Sequence, residues 1–135
     1  MASIYITHYS AKKDDQLKDS GEVVTPDNLN KATPLRRFIK ICKIKNANWA
    51  IFSDKYGVVF PWEKIEWYEK PPDSVTKEEY HLLLDNLITR FSEFNEVWFY
   101  HNPGRFHNLY KKINVEATLK GMNIKMFSHI AEIRK

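Results

Sequence analysis

Trp49-Ala-Ile-Phe-Ser-Asp-Lys-Tyr-Gly-Val-Val-Phe-Pro61 is the stretch from which the rest of the chain can be placed. Trp49, Ala50, Ile51 and Phe52 form an unbroken apolar run, the pattern of a strand covered on both faces in a parallel sheet. Ser53-Asp54-Lys55-Tyr56-Gly57 follows with a hydroxyl, two charges, a phenol and a glycine, so the strand stops at a polar turn at its carboxyl end. In open α/β sheets that end is where ligands bind.

Working back from this strand, Thr33-Pro34 offers a hydroxyl N-cap and a proline at the first helical position. Leu35, Phe38, Ile39 and Cys42 then recur at i, i+3, i+4 and i+7, while Arg36, Arg37, Lys40 and Lys43 fall on the other side. A helix with one buried and one basic face is expected. Before it, residues 14–33 carry Asp, Ser, Gly, Pro and Asn with few large apolar groups and read as a long loop of the lid or binding kind. Residues 3–8, Ser-Ile-Tyr-Ile-Thr-His, are rich in β-branched and aromatic side chains and read as the first strand.

Working forward, residues 58–75 hold Val58, Val59, Phe60, Trp62, Ile65, Trp67 and Tyr68 before Pro71-Pro72. They read either as a hydrophobic cap over one sheet edge or as the source of an aromatic, Trp62, Trp67 or Tyr68, that stacks on a base. Thr76-Lys77-Glu78-Glu79 is a capping box. Behind it, Tyr80, Leu83, Leu84, Leu87, Ile88 and Phe91 make a helical core stripe that runs to Phe94. Glu96 to His101 is a third strand ending at His101-Asn102-Pro103-Gly104-Arg105. A third helix follows with Phe106, Leu109, Tyr110 and Ile113 inward, stopped by Gly121. Residues 123–129 are a fourth strand, with 130–135 extending it or pairing at an edge.

The order β-α-β-α-β-α-β with right-handed crossovers predicts one α/β domain over residues 1–135. Its four-stranded, mostly parallel sheet would lie between helical layers in a Rossmann-like three-layer arrangement. All strand carboxyl ends of such a sheet share one rim, so His8-Tyr9-Ser10, Ser53-Asp54-Lys55-Tyr56, His101-Asn102 and Ser128-His129 should converge. Histidines at strand ends suit acid/base work, anion binding or a metal. The candidate catalytic residues are His8, His101 and Ser53. Ser10, Lys12, Lys13, Lys55, Tyr56, Gly57, Asn102, Arg105 and Trp62 are candidates for contact with the substrate. Gly57 and Gly104 also read as glycines that allow tight turns after strands. A hydroxyl beside an ammonium, as in Ser53 with Lys55, suits an anion cradle or a Ser-Lys nucleophile. No phosphate-binding glycine signature or His-Glu-x-x-His pattern is present, and no metal or cofactor is assigned.

The 135 residues fall within the usual size of one domain, and 43% hydrophobic content, with a 14% aromatic share, supplies a packed core. The net charge of +4, from 21 basic and 17 acidic residues, favours phosphate-bearing partners. A single cysteine, Cys42, excludes an internal disulfide and a thiolate zinc site, which suits a reducing compartment. No stretch approaches a membrane span, and the start lacks a basic region followed by a long apolar one, so a cytoplasmic protein is expected.

The pattern apolar-Ser-x-Lys-Tyr-Gly-apolar-apolar-x-Pro, carried here by Ser53, Lys55, Tyr56, Gly57 and Pro61, resembles the small α/β family typified by the YaaA-like and DUF6884 proteins. It is distantly similar to the core domain of archaeosine synthases, which modify a deazaguanine base in transfer RNA. Those families commonly carry a Cys-Ser-x-x-Lys segment after strand one. Ser10 and Lys13 match it here, and Tyr9 stands in place of the cysteine. The resemblance implies a nucleobase, nucleotide or nucleic acid bound at the rim, with transferase, lyase or glycosidase chemistry directed at a base, but without any step that needs the thiol. Two other classes stay open: a phosphoester or acyl hydrolase with Ser53 or Ser10 as nucleophile, and a non-catalytic interaction module that uses the aromatic residues of 58–72.

Overall fold

The computed structural model of the chain describes residues 2–8, 15–29, 33–68, 70–101 and 106–133. In chain order its elements are β1 (Ser3–His8), β2 (Val23–Val24), α1 (Pro26–Leu29), α2 (Thr33–Ile44), β3 (Trp49–Ser53), β4 (Gly57–Val59), β5 (Ile65–Glu66), α3 (Lys77–Arg90), β6 (Glu96–Tyr100), α4 (Asn108–Leu119) and β7 (Ile124–Phe127). Five strands form one sheet in the order β4-β3-β1-β6-β7. β1 is parallel to both β3 and β6, β6 is parallel to β7, and β4 is antiparallel to β3.

The alternation of side chains along each strand divides the core in two. Ile4, Ile6, Ala50, Phe52, Val97 and Phe99 face α3 and α4, where they meet Leu83, Leu84, Leu87, Tyr110, Ile113 and Ala117. Tyr5, Trp49, Ile51 and Phe127 face the other way and pack with Leu35, Phe38, Ile39 and Cys42 of α2. Helices therefore cover both faces, as an apolar parallel sheet requires. Phe38, Phe52, Phe91 and Phe99 are fully buried. Each contributes about 1.5–3 kcal/mol relative to exposure.

The helix starts follow their sequence signals. α2 begins at the Thr33-Pro34 pair. At α3 the Glu79 N–H donates to Thr76 Oγ1 over 3.1 Å, and the Thr76 N–H donates to Glu79 Oε1 over 2.9 Å, closing the capping box. Cys42 is buried on the core side of α2, and burial pushes its thiol up to about 12.

The sheet has a fifth strand where four were expected. Gly57, at φ 77°, reverses the chain, and the β-branched pair Val58-Val59 turns back along Phe52 and Ile51. The exposed side of this short edge is capped from α3, where Asn86 Oδ1 accepts the Val58 N–H at 2.8 Å. Capping of this kind keeps an edge strand from pairing with a second chain.

The described part of the segment expected as one long loop also has structure of its own. Val23–Val24 pair antiparallel with Ile65–Glu66 in a second, two-stranded sheet. The Thr25 backbone carbonyl then starts α1, accepting from Asn28 and Leu29, and Leu29 is fully buried. Among the described residues, the chain after β7 neither extends that strand nor pairs at an edge. Residues Ile130–Glu132 form one 3-10 turn that drops Ile133 into the core beside α2. No helix among the described residues is long and apolar enough to cross a membrane.

Candidate functional site at the carboxyl rim

The chain passes from β1 to β3 on one side of β1 and then crosses to β6 on its other side, so the strand order reverses between β1 and β6. A crevice opens at such a point beyond the carboxyl ends of the strands. β1 ends there in His8, and His101 directly follows the last residue of β6. Their register pairs Ile6 with Phe99, and continued by two residues it brings His8 level with His101 on the same face. Thr7 Oγ1 ties the two strands together past the last ladder pair, donating to the Tyr100 carbonyl at 3.0 Å.

Both histidine rings meet Phe106, at 6.0 Å for His8 and 5.0 Å for His101. Beneath them lies Tyr110 of α4, whose ring stacks on His8 with centroids 4.4 Å apart and planes 8° apart. Tyr110 is buried, and its edge rests on Phe52 of β3 at 6.1 Å. Asp54, two residues beyond Phe52 in an alternating strand, is buried beside this cluster. Burial first, and the Asp54 charge second, push the Tyr110 phenol well above its ordinary ionisation range. The phenol therefore stays protonated and can donate.

His101 has the complementary character. Its Nδ1 is buried with no hydrogen-bond partner among the described residues. Burial first, and the Lys111 ammonium second, hold its pKa below the ordinary 6.5. The ring is therefore a neutral imidazole at pH 7, able to accept a hydrogen bond or a proton. A neutral base, a protonated phenol and a buried carboxylate thus share one end of the sheet.

α4 is aimed at this site by His107, which caps it. His107 Nδ1 accepts the Leu109 N–H at 3.0 Å, which leaves the proton on Nε2, 2.7 Å from Asp73 Oδ1. His107 is thus held between the start of α4 and Asp73, which precedes α3.

The other candidates separate into three groups. Ser10, Lys12, Lys13, Asn102 and Arg105 lie outside the described residues. Ser53 is at the rim but fully buried. Its Oγ donates to Tyr68 Oη at 2.9 Å and accepts the N–H groups of Lys55 at 3.1 Å and Tyr56 at 3.0 Å. Those bonds build the β3–β4 turn and engage the hydroxyl that was a candidate nucleophile. Lys55 is exposed on the turn, with Nζ 5.1 Å from the centroid of the Tyr56 ring. Gly57 is buried at positive φ, and a Cβ there would lie 2.6 Å from Asn86 Cγ, so packing and backbone conformation both require glycine, as the tight-turn reading expected.

Trp62 is at the wrong end for the rim. β4 runs antiparallel to β3, so the chain past Val59 moves toward the amino ends of the parallel strands. There Trp62, 73% exposed, stacks on Phe60 at 5.0 Å, and Phe60 rests against Phe91 at the end of α3. The rings that do gather at the rim are His8 and Phe106, with Tyr110 buried beneath His8. His129 is exposed and makes no ring contact with this cluster among the described residues.

Sequence reasoning passes over Phe106 and Tyr110 as site residues, and it brings Asp54 to the rim without a role. Tyr110 and Phe106 fit a core stripe, and Asp54 reads as one charge in a polar turn. Its spacing of two from Phe52 was the one signal that it continues the buried face of β3.

Among the described residues no three His, Cys, Asp or Glu side chains group as a metal site. Comparison of the chain with protein-family models, curated proteins and solved structures gives no match.

Proposed function

We propose that this is a cytoplasmic protein that binds a nucleobase, nucleotide or nucleic-acid segment at the carboxyl ends of β1, β3 and β6. The observation that carries the reading is the meeting of His8 and His101 on one aromatic ring, Phe106, at the point where the strand order reverses. A flat heteroaromatic ligand needs a stacking surface and edge-directed donors and acceptors. His8 and Phe106 offer the first, backed by the buried Tyr110 ring. The neutral His101 imidazole, the Asp54 carboxylate and the Tyr110 phenol offer the second. Transferase, lyase or glycosidase chemistry on a base would use His8 or His101 to carry the proton. The short motif at Ser53, Lys55, Tyr56, Gly57 and Pro61 supports distant kinship with the YaaA-like group on the same terms.

The test is thermal unfolding of the protein against a panel of nucleobases and nucleotides. Saturation at about a hundredfold over the dissociation constant stabilises the fold by about 2.7 kcal/mol. The expected result is a raised midpoint with one class of base, lost in His101→Ala and in His8→Ala. A panel that leaves the midpoint unmoved overturns the reading.

A further inference from the structure

Among the described residues, the basic face of α2 is a strongly charged surface that the rim does not absorb. Arg36, Arg37, Lys40 and Lys43 are all exposed, and no acidic residue occurs in the helix. At 100° per residue the four lie within an arc of about 120°. α2 alone carries +4, equal to the net charge of the whole chain, so the remaining basic and acidic side chains cancel. Lys43 is partly neutralised by Asp27, its Nζ 2.7 Å from Oδ2. Arg36, Arg37 and Lys40 make no ion pair among the described residues.

The position of this face ties it to the rim. Phe38, in the second turn of α2, stacks at 5.9 Å on Tyr100, the last residue of β6. The helix therefore begins at the carboxyl rim and descends along the opposite face of the sheet from α4. From Arg36 to Lys43 it rises about 10 Å.

We propose that the outer face of α2 is a docking track for the phosphate backbone of a single-stranded polynucleotide, with Arg36, Arg37 and Lys40 as its phosphate contacts. The inference rests on the rim reading above, and narrows it from a free base or nucleotide to a base held within a strand. A base reaches His8 and His101 at the rim only when it is out of its stack, so the strand that delivers it is single. Charge complementarity selects the occupant. A face of fixed cations with only Ile44 as an exposed apolar group suits a polyanion in water better than a lipid surface, which also takes apolar side chains.

The experiment is fluorescence anisotropy with a short labelled oligouridylate, comparing the wild type with R36Q/R37Q/K40Q and with K64Q/K77Q/K120Q, a control that removes the same charge elsewhere. Circular dichroism checks that each variant is folded. Three phosphate contacts on a single strand predict a log–log salt slope of about −2, a loss of about twentyfold in affinity between about 50 mM and about 200 mM salt. The α2 variant should lose at least about tenfold in affinity and flatten that slope, while the control stays within about twofold of the wild type.

Equal losses in both variants would show non-specific attraction by net charge and overturn the proposal. So would an unaffected α2 variant, or a wild type that binds phosphatidylserine vesicles through α2 and ignores the oligonucleotide. The thermal shift with a base separates the two readings. If the shift persists and the oligonucleotide does not bind, the track fails and the rim stands. If the oligonucleotide binds through α2 with no base shift, the track stands and the rim fails.

Discussion

His8 lies face to face with Tyr110, the ring centroids 4.4 Å apart and the planes 8° from parallel. This contact joins the end of β1 to the first turn of α4, and it makes one rigid platform from two elements that are remote in sequence. Tyr110 faces the sheet through Phe52 and sits beside Asp54, so the platform also reaches β3.

Tyr110 can be tested by separating its ring from its hydroxyl. Tyr110→Ala removes a buried aromatic and should cost about 3–5 kcal/mol in urea unfolding. Tyr110→Phe keeps the platform and should stay within about 1.5 kcal/mol of the wild type. Equal losses in the two variants would show that the hydroxyl, not the stack, is what the fold needs.

His101 gives the protein a pH dependence of defined sign. Its folded pKa lies below the ordinary 6.5, so the unfolded chain binds a proton that the folded chain refuses. Stability from this group is complete above pH 6.5 and is lost as pH falls through the folded value. In His101→Asn the decline just below pH 6.5 should be shallower than in the wild type, as measured by urea midpoints over a pH series. A steeper decline in the variant would contradict the neutral imidazole.

The turn after β3 offers a coupled pair. Gly57→Ala should destabilise by more than about 1 kcal/mol, because φ is positive and the new methyl meets Asn86. Asn86→Ala should cost about 1–3 kcal/mol by leaving the Val58 N–H without its acceptor. Because one side chain underlies both effects, the double variant should lose less than the sum of the two. Strict additivity in denaturant titrations would place the cost of Gly57→Ala in φ alone.

The parallel strands and three main helices were legible because each carries its own local signal. Trp49 to Phe52 is apolar throughout, Thr76 and Glu79 form a capping box, and Leu35 to Cys42 has the helical period. β4 was not legible, because Val58-Val59 is too short to read as a strand until Gly57 is known to reverse the chain beside Phe52. The rim itself was partly legible. Strand order brings His8 and His101 together, and both residues end strands that the sequence marks. The direction of β4 decides the place of Trp62, and one antiparallel strand was enough to move it to the far end. Tyr110 could not be told from a core tyrosine, since its distinction comes from the ring above it and the carboxylate beside it.

The central claim is the location of the ligand, and chemical-shift mapping in uniformly 15N-labelled protein tests it most directly. Adenine, guanine, cytosine and uracil and their 5′-monophosphates are titrated in turn. For the one that binds, the largest changes should fall on the backbone amides of His8, Asp54 to Tyr56, His101 and Tyr110. Changes confined to Phe60 through Glu63 and Arg90, at the opposite end of the sheet, would contradict the account.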